Sequence, residues 1–452
     1  MKKFIMLIAC AVSISLLGGC TSKTEIETVH FNEDAMLTLA RAQADELIAG
    51  NADKVIAAFD EKMAKAGLDA ATLNMMVQNL TTGEYVGFYT ADGIVANEFY
   101  IAEVIYEYEH NGFKVTLVYN GANEISGLNL NYASIDKPLA ADASFEEIAV
   151  TIGDLMPLDG VLTLPTDVTN PPVVLLVHGS GPADKNATIA ANAPFQDIAH
   201  GLANLGIATL RYDKRTYAYP KEMAELGAQL TIQHEVLNDV DAAIDLLLTE
   251  SQKTNPRAIF VLGHSMGGGL TPAIAVANPE ISGIISMAGI LDPLFEASYA
   301  QNKDIERVAQ QGGFDDATTT LVVEQMIKVE EDIAILRSDM SDIPDDQILM
   351  GLPAGYQKST KEFAGINFIS DIEVPVLVLQ GAKDFQVKAT TDYAAWQEAL
   401  AEYPMATFKL YENLNHLMMP SNGAGDISEY QEKGVVSEDV ISDIATFVNS
   451  NA

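Results

Sequence analysis

Residues 144–452 show an alternation of short apolar runs and helically spaced apolar positions. Eight runs predict β-strands: EIAVTIG, GVLTLP, PVVLLVHG, IATLRYD, AIFVLGHS, ISGIISMAG, VPVLVLQGAKD and ATFKLYEN. The middle runs are apolar throughout, as expected for parallel strands that are covered on both faces. Between them, the spacing predicts helices at 195–205, 236–250, 268–278 and 392–402. This alternation predicts an α/β protein with a mostly parallel sheet.

One long insertion interrupts the alternation, from about residue 292 to residue 368. It contains helical patterns such as TTTLVVEQMIKVEEDIAILRSD. An insertion on the side of a sheet where the strands end is a candidate lid over a site.

Residues 32–132 have a different organisation. Apolar spacing predicts three helices, within EDAMLTLARAQADELIAG, NADKVIAAFDEKMAKAG and DAATLNMMVQNL, the first ending near Gly50. Two β-type runs then flank Asn111-Gly112, a strong hairpin signal, and ISGLNLNY supplies another strand. We expect a small α+β domain, joined by a linker at 133–143 to the larger domain. The segment resembles the cone-shaped, nuclear-transport-factor-like helix–sheet domain, and its apolar stripes are expected to form a core.

Residues 1–20, MKKFIMLIACAVSISLLGGC, combine a charged start, an apolar segment and a small-residue stretch before Cys20. This stretch resembles a bacterial lipoprotein signal. The resemblance implies removal of residues 1–19, lipid attachment to the Cys20 sulfur, and an extracytoplasmic protein that meets the membrane through its lipid anchor only. Residues 20–31 would form a short tether. The alternative is an ordinary secretory signal with an accidental cysteine.

Composition narrows the classes of function. The formal charge of −37 over 452 residues argues against nucleic-acid binding, which needs a basic surface. The two cysteines are Cys10 and Cys20, so the folded part has no disulfide and no cysteine-based metal site. No zinc or nucleotide motif is present, and we expect no cofactor and no metal.

The stretch AIFVLGHSMGGG places Gly263-x-Ser265-x-Gly267 between a predicted strand and a predicted helix. This context is the one required for a nucleophile elbow, a strained turn that lifts a serine hydroxyl above a sheet. The turn also aims the backbone N–H of Met266 at an oxyanion formed there. The small-residue loop His178-Gly179-Ser180-Gly181-Pro182 ends an earlier strand, and the N–H of Ser180 is the expected second donor.

Two later strand ends supply the partners of Ser265. Asp384 follows the run VLVLQGAK, and His416 follows the last predicted strand. This chain order, with serine first, then the acid and then histidine, is typical of one class of catalytic triads in hydrolases. Asp292, in GILDP, is the alternative acid because it too follows a predicted strand.

These motifs together resemble the α/β-hydrolase superfamily. More narrowly, HGSGP, RYDKR and GHSMGG are similar to bacterial esterases related to dienelactone hydrolases and serine aminopeptidases. The sequence departs from that pattern at Ala183-Asp184-Lys185-Asn186, where an Asp-Arg-Asp-like run is common. The resemblance implies the α/β-hydrolase fold, and structural roles for His178 and His264.

The expected activity is hydrolysis of small carboxylic esters, with a small acyl compound as the substrate. Ser265 would be the nucleophile, His416 the base and Asp384 the orienting acid. A peptidase or thioesterase with the same triad is the alternative, and a catalytically silent binding lipoprotein is the alternative of another class. Three charged residues of RYDKR, Asp213, Lys214 and Arg215, are expected to be structural. Tyr356 and Phe363 are candidates for an acyl pocket or for packing.

Overall fold

The computed structural model describes residues 31–96, 98–133, 135, 143–249, 253–255 and 258–452. The predicted signal, Cys20, nearly all of the tether and most of the linker lie outside these residues. Within the described ranges, no helix has the length and apolar character needed to cross a membrane.

The N-terminal part consists of helices packed on one antiparallel sheet. The helices are α1 (Glu33–Ile48), α2 (Ala52–Ile56), α3 (Glu61–Lys65) and α4 (Ala70–Leu80). The strands are β1 (Tyr85–Ala96), β2 (Phe99–Tyr108), β3 (Gly112–Tyr119) and β4 (Ile125–Ala133), in the spatial order β1-β2-β3-β4. Alternate residues of β2 and β3 point toward α1, α2 and α4 and form a separate apolar core.

Two details of this part differ from the prediction. The single helix expected within residues 51–67 is two short helices, because Phe59 pairs with Ile125 of β4 and interrupts the helical backbone. The side chain of Asp60 then caps α3 by accepting the N–H of Met63 at 2.8 Å, and it also accepts the Ser126 hydroxyl at 2.6 Å. The second difference is strand β1, which is absent from the prediction. Many of its large apolar side chains are exposed, so its sequence lacks the alternation of apolar and polar residues that indicates a half-buried strand.

The larger part contains strands β5 to β14. In chain order they are Phe145–Ile152, Leu158–Pro165, Val173–Val177, Ala208–Tyr212, Ile259–His264, Ile281–Met287, Ile348–Leu349, Leu352–Pro353, Val376–Gly381 and Ala406–Tyr411. Eight of them form one sheet in the order β14-β13-β10-β9-β7-β8-β6-β5. The six strands from β14 to β8 are parallel, and β6 and β5 add antiparallel at one edge. The predicted mostly parallel, eight-stranded sheet is confirmed.

Helices cover both faces of this sheet. The helices of the larger part are α5 to α14, at Pro194–Ala203, Arg215–Ala218, Pro220–Leu226, Asn238–Thr249, Met266–Ala277, Leu294–Gln310, Asp316–Arg337, Ala354–Glu362, Ala394–Ala399 and Glu438–Asn451. One face packs against α8, α9 and α13, and the other against α5 and α14. The parallel strands β7, β9 and β13 are buried along their whole length, which explains their continuous apolar sequences.

The predicted insertion lies between β10 and β13. It contains α10, α11, the two-stranded β11–β12 hairpin and α12, with a small apolar core of its own. Its helix α12 rests against the sheet domain, because the Ser359 hydroxyl accepts the N–H of Ile232 at 3.0 Å.

Contacts also join the N-terminal part to the larger part. The Gln431 side chain donates to the Tyr132 hydroxyl at 3.2 Å, and the Lys114 ammonium lies 4.5 Å from the centre of the Tyr217 ring. Tyr132 also packs against the core that α5 and α14 form with the sheet.

Candidate active site

Ser265 occupies a sharp turn between β9 and α9. Strand β9 ends at His264, α9 begins at Met266, and Ser265 has φ of 56° and ψ of −120°. A positive φ is strained for a residue with a β-carbon, so surrounding bonds must hold it. The Ser265 N–H donates to Met287 O at 3.0 Å, and Ser265 O accepts the N–H of Gly269 at 3.1 Å. The turn therefore has the geometry of the predicted elbow.

Two glycines make this turn possible. A β-carbon on Gly267 would lie 2.4 Å from His178 O, and one on Gly263 would lie 2.0 Å from Gly267 O. Neither space can hold a carbon atom without moving the backbone. The glycines at positions 263 and 267 therefore allow the helix to start directly against the ends of β7 and β9.

Asp384 and His416 lie side by side after β13 and β14. His416 Nδ1 is 2.7 Å from Asp384 Oδ2, and both residues are buried. Because an ionised carboxylate only accepts, Nδ1 carries the proton and Nε2 is the nitrogen left to act as a base.

Further bonds fix the carboxylate of Asp384. Its Oδ1 accepts the backbone N–H groups of Gln386 at 2.8 Å and Val387 at 2.9 Å. Its Oδ2 accepts the side-chain amide of Gln380 at 3.1 Å, in addition to His416. These donors hold the carboxylate in one orientation.

His264, which directly precedes Ser265, contacts His416 of this pair. The His264 Nε2–H donates to His416 O at 2.9 Å, and the centres of the two rings are 4.6 Å apart. Among the described residues, no hydrogen bond links the Ser265 hydroxyl to His416. In enzymes without substrate this bond is often long and tightens only when substrate binds.

Asp292, the alternative acid, is placed differently. Its side chain is exposed and lines a pocket beside α9, whereas the His416 imidazole bonds to Asp384. Partial desolvation, with smaller contributions from Glu296 and Asp392, raises the pKa of Asp292. The structure thus pairs Asp384, rather than Asp292, with the imidazole.

The loop after β7 lies against Ser265. A β-carbon on Gly179 would be 3.1 Å from Ser265 Cβ and 3.6 Å from its Oγ, so Ser180 directly follows a glycine that packs close to the predicted nucleophile. Met266 is the first residue of α9, where backbone N–H groups have no partner within the helix and the helix dipole favours negative charge. Both predicted oxyanion donors therefore belong to segments that border Ser265.

His178 and His264 are held as neutral, structural rings. His178 Nε2–H donates to Tyr212 O at 2.6 Å and the ring stacks on Phe195 with centres 4.9 Å apart. Burial lowers the pKa of His178 to about 4 and that of His264 to about 3. Neither ring bonds to the predicted nucleophile, in agreement with the structural roles expected for them.

The charged residues of RYDKR form buried contacts. Arg215 pairs with Asp239, and Asp213 accepts the N–H of Lys185 at 2.7 Å. Burial raises the pKa of the Asp213 carboxyl to about 6. Lys214 bonds to Glu235 and to the loop at Gly179, which places it beside the site rather than at the reacting atoms.

A pocket opens beside the start of α9, between the end of β10 and helix α12. Its lining is mainly apolar, with Asp292 and Thr360 as the polar members: Ile232, Met266, Gly269, Leu270, Ile290, Asp292, Leu294, Thr360 and Ala364. Tyr356 and Phe363 do not belong to this lining. Tyr356 donates to Glu235 at 2.6 Å and Phe363 stacks on Phe368, so both pack within the structure.

Comparison with known proteins assigns the family. The sequence pattern of the family described as serine aminopeptidase, S33, matches residues 172–421, more than half of the chain. The chain belongs to the serine aminopeptidase S33 family. Esterase EstD of Thermotoga maritima is 32% identical over 305 residues, which cover 68% of each chain. As a member of the S33 family with this sheet, the protein is a hydrolase with the α/β-hydrolase fold.

Solved structures share less sequence with this S33 family member. An esterase from Pyrococcus furiosus is 13% identical, with a TM-score of 0.43 over 70% of this chain and 95% of that chain. Est1E from Butyrivibrio proteoclasticus is 16% identical, with a TM-score of 0.42 over 67% of this chain and 98% of that chain. A puromycin-hydrolysing peptidase of Mycobacterium tuberculosis is 16% identical, with a TM-score of 0.44 over 81% of this chain and 48% of that chain.

Two residues of this S33 protein were missed in the sequence: Gln380, which bonds to Asp384 of the predicted triad, and Glu235, which bonds to Lys214 beside the site. Gln380 is a buried amide inside the apolar strand β13, and Glu235 is a buried carboxylate in a π-helical turn at Gln233–Leu237. A polar residue within an apolar run is itself a signal, because such residues are buried only when they are paired. Across the described ranges, no group of three or more His, Cys, Asp or Glu side chains is arranged to hold a metal ion.

Proposed function

We propose that the protein is a serine esterase that cleaves small carboxylic esters through Ser265, His416 and Asp384. The observation that carries the proposal is the 2.7 Å bond between His416 Nδ1 and Asp384 Oδ2, in a buried pair whose imidazole adjoins the strained Ser265 turn through His264. A neutral serine is a poor nucleophile, and it needs an adjacent, oriented base of this kind.

The reaction proceeds in two halves. His416 Nε2 takes the hydroxyl proton as Ser265 Oγ attacks the ester carbonyl, and Asp384 stabilises the imidazolium without taking the proton. The tetrahedral intermediate collapses, the alkoxide leaves with the proton from His416, and an acyl-serine remains. Water then attacks that acyl group with His416 again as the base, which releases the acid and restores the Ser265 hydroxyl.

The negative charge that forms on the carbonyl oxygen is stabilised by backbone N–H groups. We assign this role to Met266 and Ser180, since Met266 starts α9 and Ser180 follows Gly179, which packs close to Ser265. One such donor is worth about 3–4 kcal/mol of transition-state stabilisation.

The pocket beside α9 is the proposed site for the acyl group. Met266 belongs both to its lining and to the proposed oxyanion hole, so an acyl chain in the pocket would reach the Ser265 turn. A mainly apolar lining suits an aliphatic or aromatic acyl group.

The leaving group separates this proposal from its nearest alternative. The name of the Thermotoga maritima relative supports an esterase, whereas the family description, serine aminopeptidase, favours a peptidase. A thioesterase would use the same triad. We favour an ester because the relative that spans 68% of this chain is named as an esterase.

Nitrophenyl esters of rising acyl length, from acetate to decanoate, test the proposal against the nitroanilide of the same best acyl group. We expect turnover of the short esters, a decline at longer chains, and at most slow cleavage of the anilide. Ser265→Ala should abolish turnover, and Ser180→Ala, which keeps its backbone N–H, should retain it. Faster cleavage of the anilide than of the ester would favour the peptidase, and no turnover by the folded protein would favour a silent binding protein.

We further infer that the protein is a lipid-anchored bacterial protein on the extracytoplasmic side of the membrane. The support is the sequence of residues 1–20, in which an apolar segment precedes small residues and Cys20. Incorporation of a labelled fatty acid in cells tests this inference. Label that is absent from a Cys20→Ala variant supports it, and wild-type protein released without label contradicts it.

A further inference from the structure

Lys214 is a buried lysine whose ammonium group points at the loop beside Ser265. Its Nζ donates to Gly179 O at 2.8 Å, to Gly181 O at 3.0 Å and to the carboxylate of Glu235. A lysine ammonium has three protons, and three fixed acceptors surround this one. Lys214 is 2% exposed, so water does not compete for these bonds.

The two carbonyls flank Ser180 in the loop: Gly179 O belongs to the peptide group that joins Gly179 to Ser180, and Gly181 O to the group that joins Gly181 to Pro182. The carbonyl of Gly179 and the N–H of Ser180 are parts of one planar, trans peptide group, so they point in opposite directions. The bond from Lys214 to Gly179 O therefore directs the Ser180 N–H away from the ammonium. A second bond, at Gly181 O, prevents the loop from rotating about this point.

Glu235 holds the lysine in place. An unpaired buried charge is costly, and the Glu235 carboxylate compensates the charge of the Lys214 ammonium. The other oxygen of Glu235 accepts the Tyr356 hydroxyl at 2.6 Å. Tyr356 lies on α12 of the insertion, and its hydroxyl is 3.9 Å from the sulfur of Met266. A continuous set of contacts thus runs from the insertion to both segments that carry the proposed oxyanion donors.

We propose that Lys214 is a positioning residue that aims the Ser180 N–H at the oxyanion, with Glu235 and Tyr356 holding it in position. The proposal rests on the proposed esterase function. It gives the lysine of RYDKR a role in the reaction, although Lys214 touches neither the substrate nor the reacting atoms.

The test compares Lys214→Met with the matched control Arg215→Met in the full chain. Each substitution removes a cation from a buried ion pair in the same segment, but Arg215 pairs with Asp239 and not with the loop. With the best nitrophenyl ester, we expect kcat of Lys214→Met to fall about 100-fold, as for loss of one oxyanion donor, with KM within about threefold. Arg215→Met should keep kcat within about threefold, whatever it does to the thermal midpoint.

A fluorophosphonate probe separates failure of this proposal from failure of the proposed function. If both hold, the probe labels wild type fully and Lys214→Met slowly but to the same final stoichiometry. If the wild type is neither labelled nor active, the esterase proposal is wrong. If the wild type is labelled and folded Lys214→Met has wild-type kcat, the positioning role alone is wrong.

Two milder variants cover the case in which Lys214→Met does not fold. Tyr356→Phe removes the donor to Glu235, and Glu235→Gln removes the charge that compensates the lysine. We expect each to lower kcat by about 3–10-fold with a smaller change in KM, because the loop keeps its bonds to a less firmly held lysine. Wild-type kcat in both variants overturns the proposal.

Discussion

His416 Nδ1 and Asp384 Oδ2 are 2.7 Å apart, although the two residues lie 32 positions apart in the chain and follow different strands. Strands β13 and β14 are parallel neighbours, so their carboxyl ends reach the same edge of the sheet. The residues that follow them are therefore neighbours in space, and Gln380 and two backbone N–H groups hold the carboxylate in this orientation.

Asp384→Asn tests this relationship. An asparagine that donates its amide N–H to His416 Nδ1 would leave the ring proton on Nε2. A protonated Nε2 cannot accept the hydroxyl proton of Ser265. We expect kcat on a nitrophenyl ester to fall by about 10⁴-fold with little change in the thermal midpoint. Asp292→Asn is the matched control, because it alters the other candidate acid, and kcat should fall by less than about tenfold. The opposite ranking would make Asp292 the acid.

Gly267→Ala tests the packing that shapes the elbow. The added methyl would lie 2.4 Å from His178 O and must push α9 away from the end of β7. We expect a loss of about 1–3 kcal/mol in the free energy of unfolding and a large loss of kcat. Gly87→Ala is the control, since no other atom lies within 4 Å of the β-carbon it would add. A fully active, equally stable Gly267→Ala protein would contradict this account of the turn.

The stability of the protein should fall as the pH is lowered from 7 toward 4. Burial holds the pKa of His178 at about 4 and of His264 at about 3, below the usual value of about 6.5 in an unfolded chain. In this interval the unfolded chain binds protons that the folded protein does not, so acid favours unfolding by up to about 1.4 kcal/mol per pH unit for each ring. Asp213 has the opposite effect on stability. Its pKa is raised to about 6, so below that pH the folded protein binds a proton more readily than the unfolded chain does.

Chemical denaturation at pH 7.5 and pH 5 measures this effect. His178→Gln can keep the hydrogen bond to Tyr212 O while removing the titrating ring, so its stability should depend less on pH than that of wild type. His110→Gln alters a histidine that is about one-third exposed and serves as the control. Identical pH dependence in wild type and His178→Gln would show that the buried ring does not contribute.

The sheet and the position of the elbow could be predicted because both depend on local sequence. Continuous apolar runs mark buried parallel strands. The glycines at 263 and 267 are required on either side of Ser265, because a β-carbon at either position would overlap neighbouring backbone atoms. The break between α2 and α3 could not, since it depends on Phe59 meeting Ile125 of β4. The sequence also left the acid open, because Asp292 and Asp384 both follow parallel strands and only their placement in three dimensions separates them.

The contacts of the residues that support the site could not be predicted from the sequence, for a related reason. Lys214 and Glu235 are 21 positions apart, and Tyr356 joins them from the insertion a further 121 positions along the chain. The charges of Asp213, Lys214 and Arg215 indicated structural roles, but no periodicity predicts which carbonyl groups a buried lysine will bind. Gln380 was in principle recognisable as an amide within an apolar strand, whereas its bond to Asp384 depends on the turn after β13.

The most direct test of the central claim is the site at which a fluorophosphonate probe attaches. The folded protein is labelled, digested and analysed by mass spectrometry, alongside Ser265→Ala and Ser180→Ala. The account predicts one probe per chain on the hydroxyl of Ser265, none in Ser265→Ala, and labelling retained in Ser180→Ala. Labelling of a different residue, or none in folded wild-type protein, would contradict it.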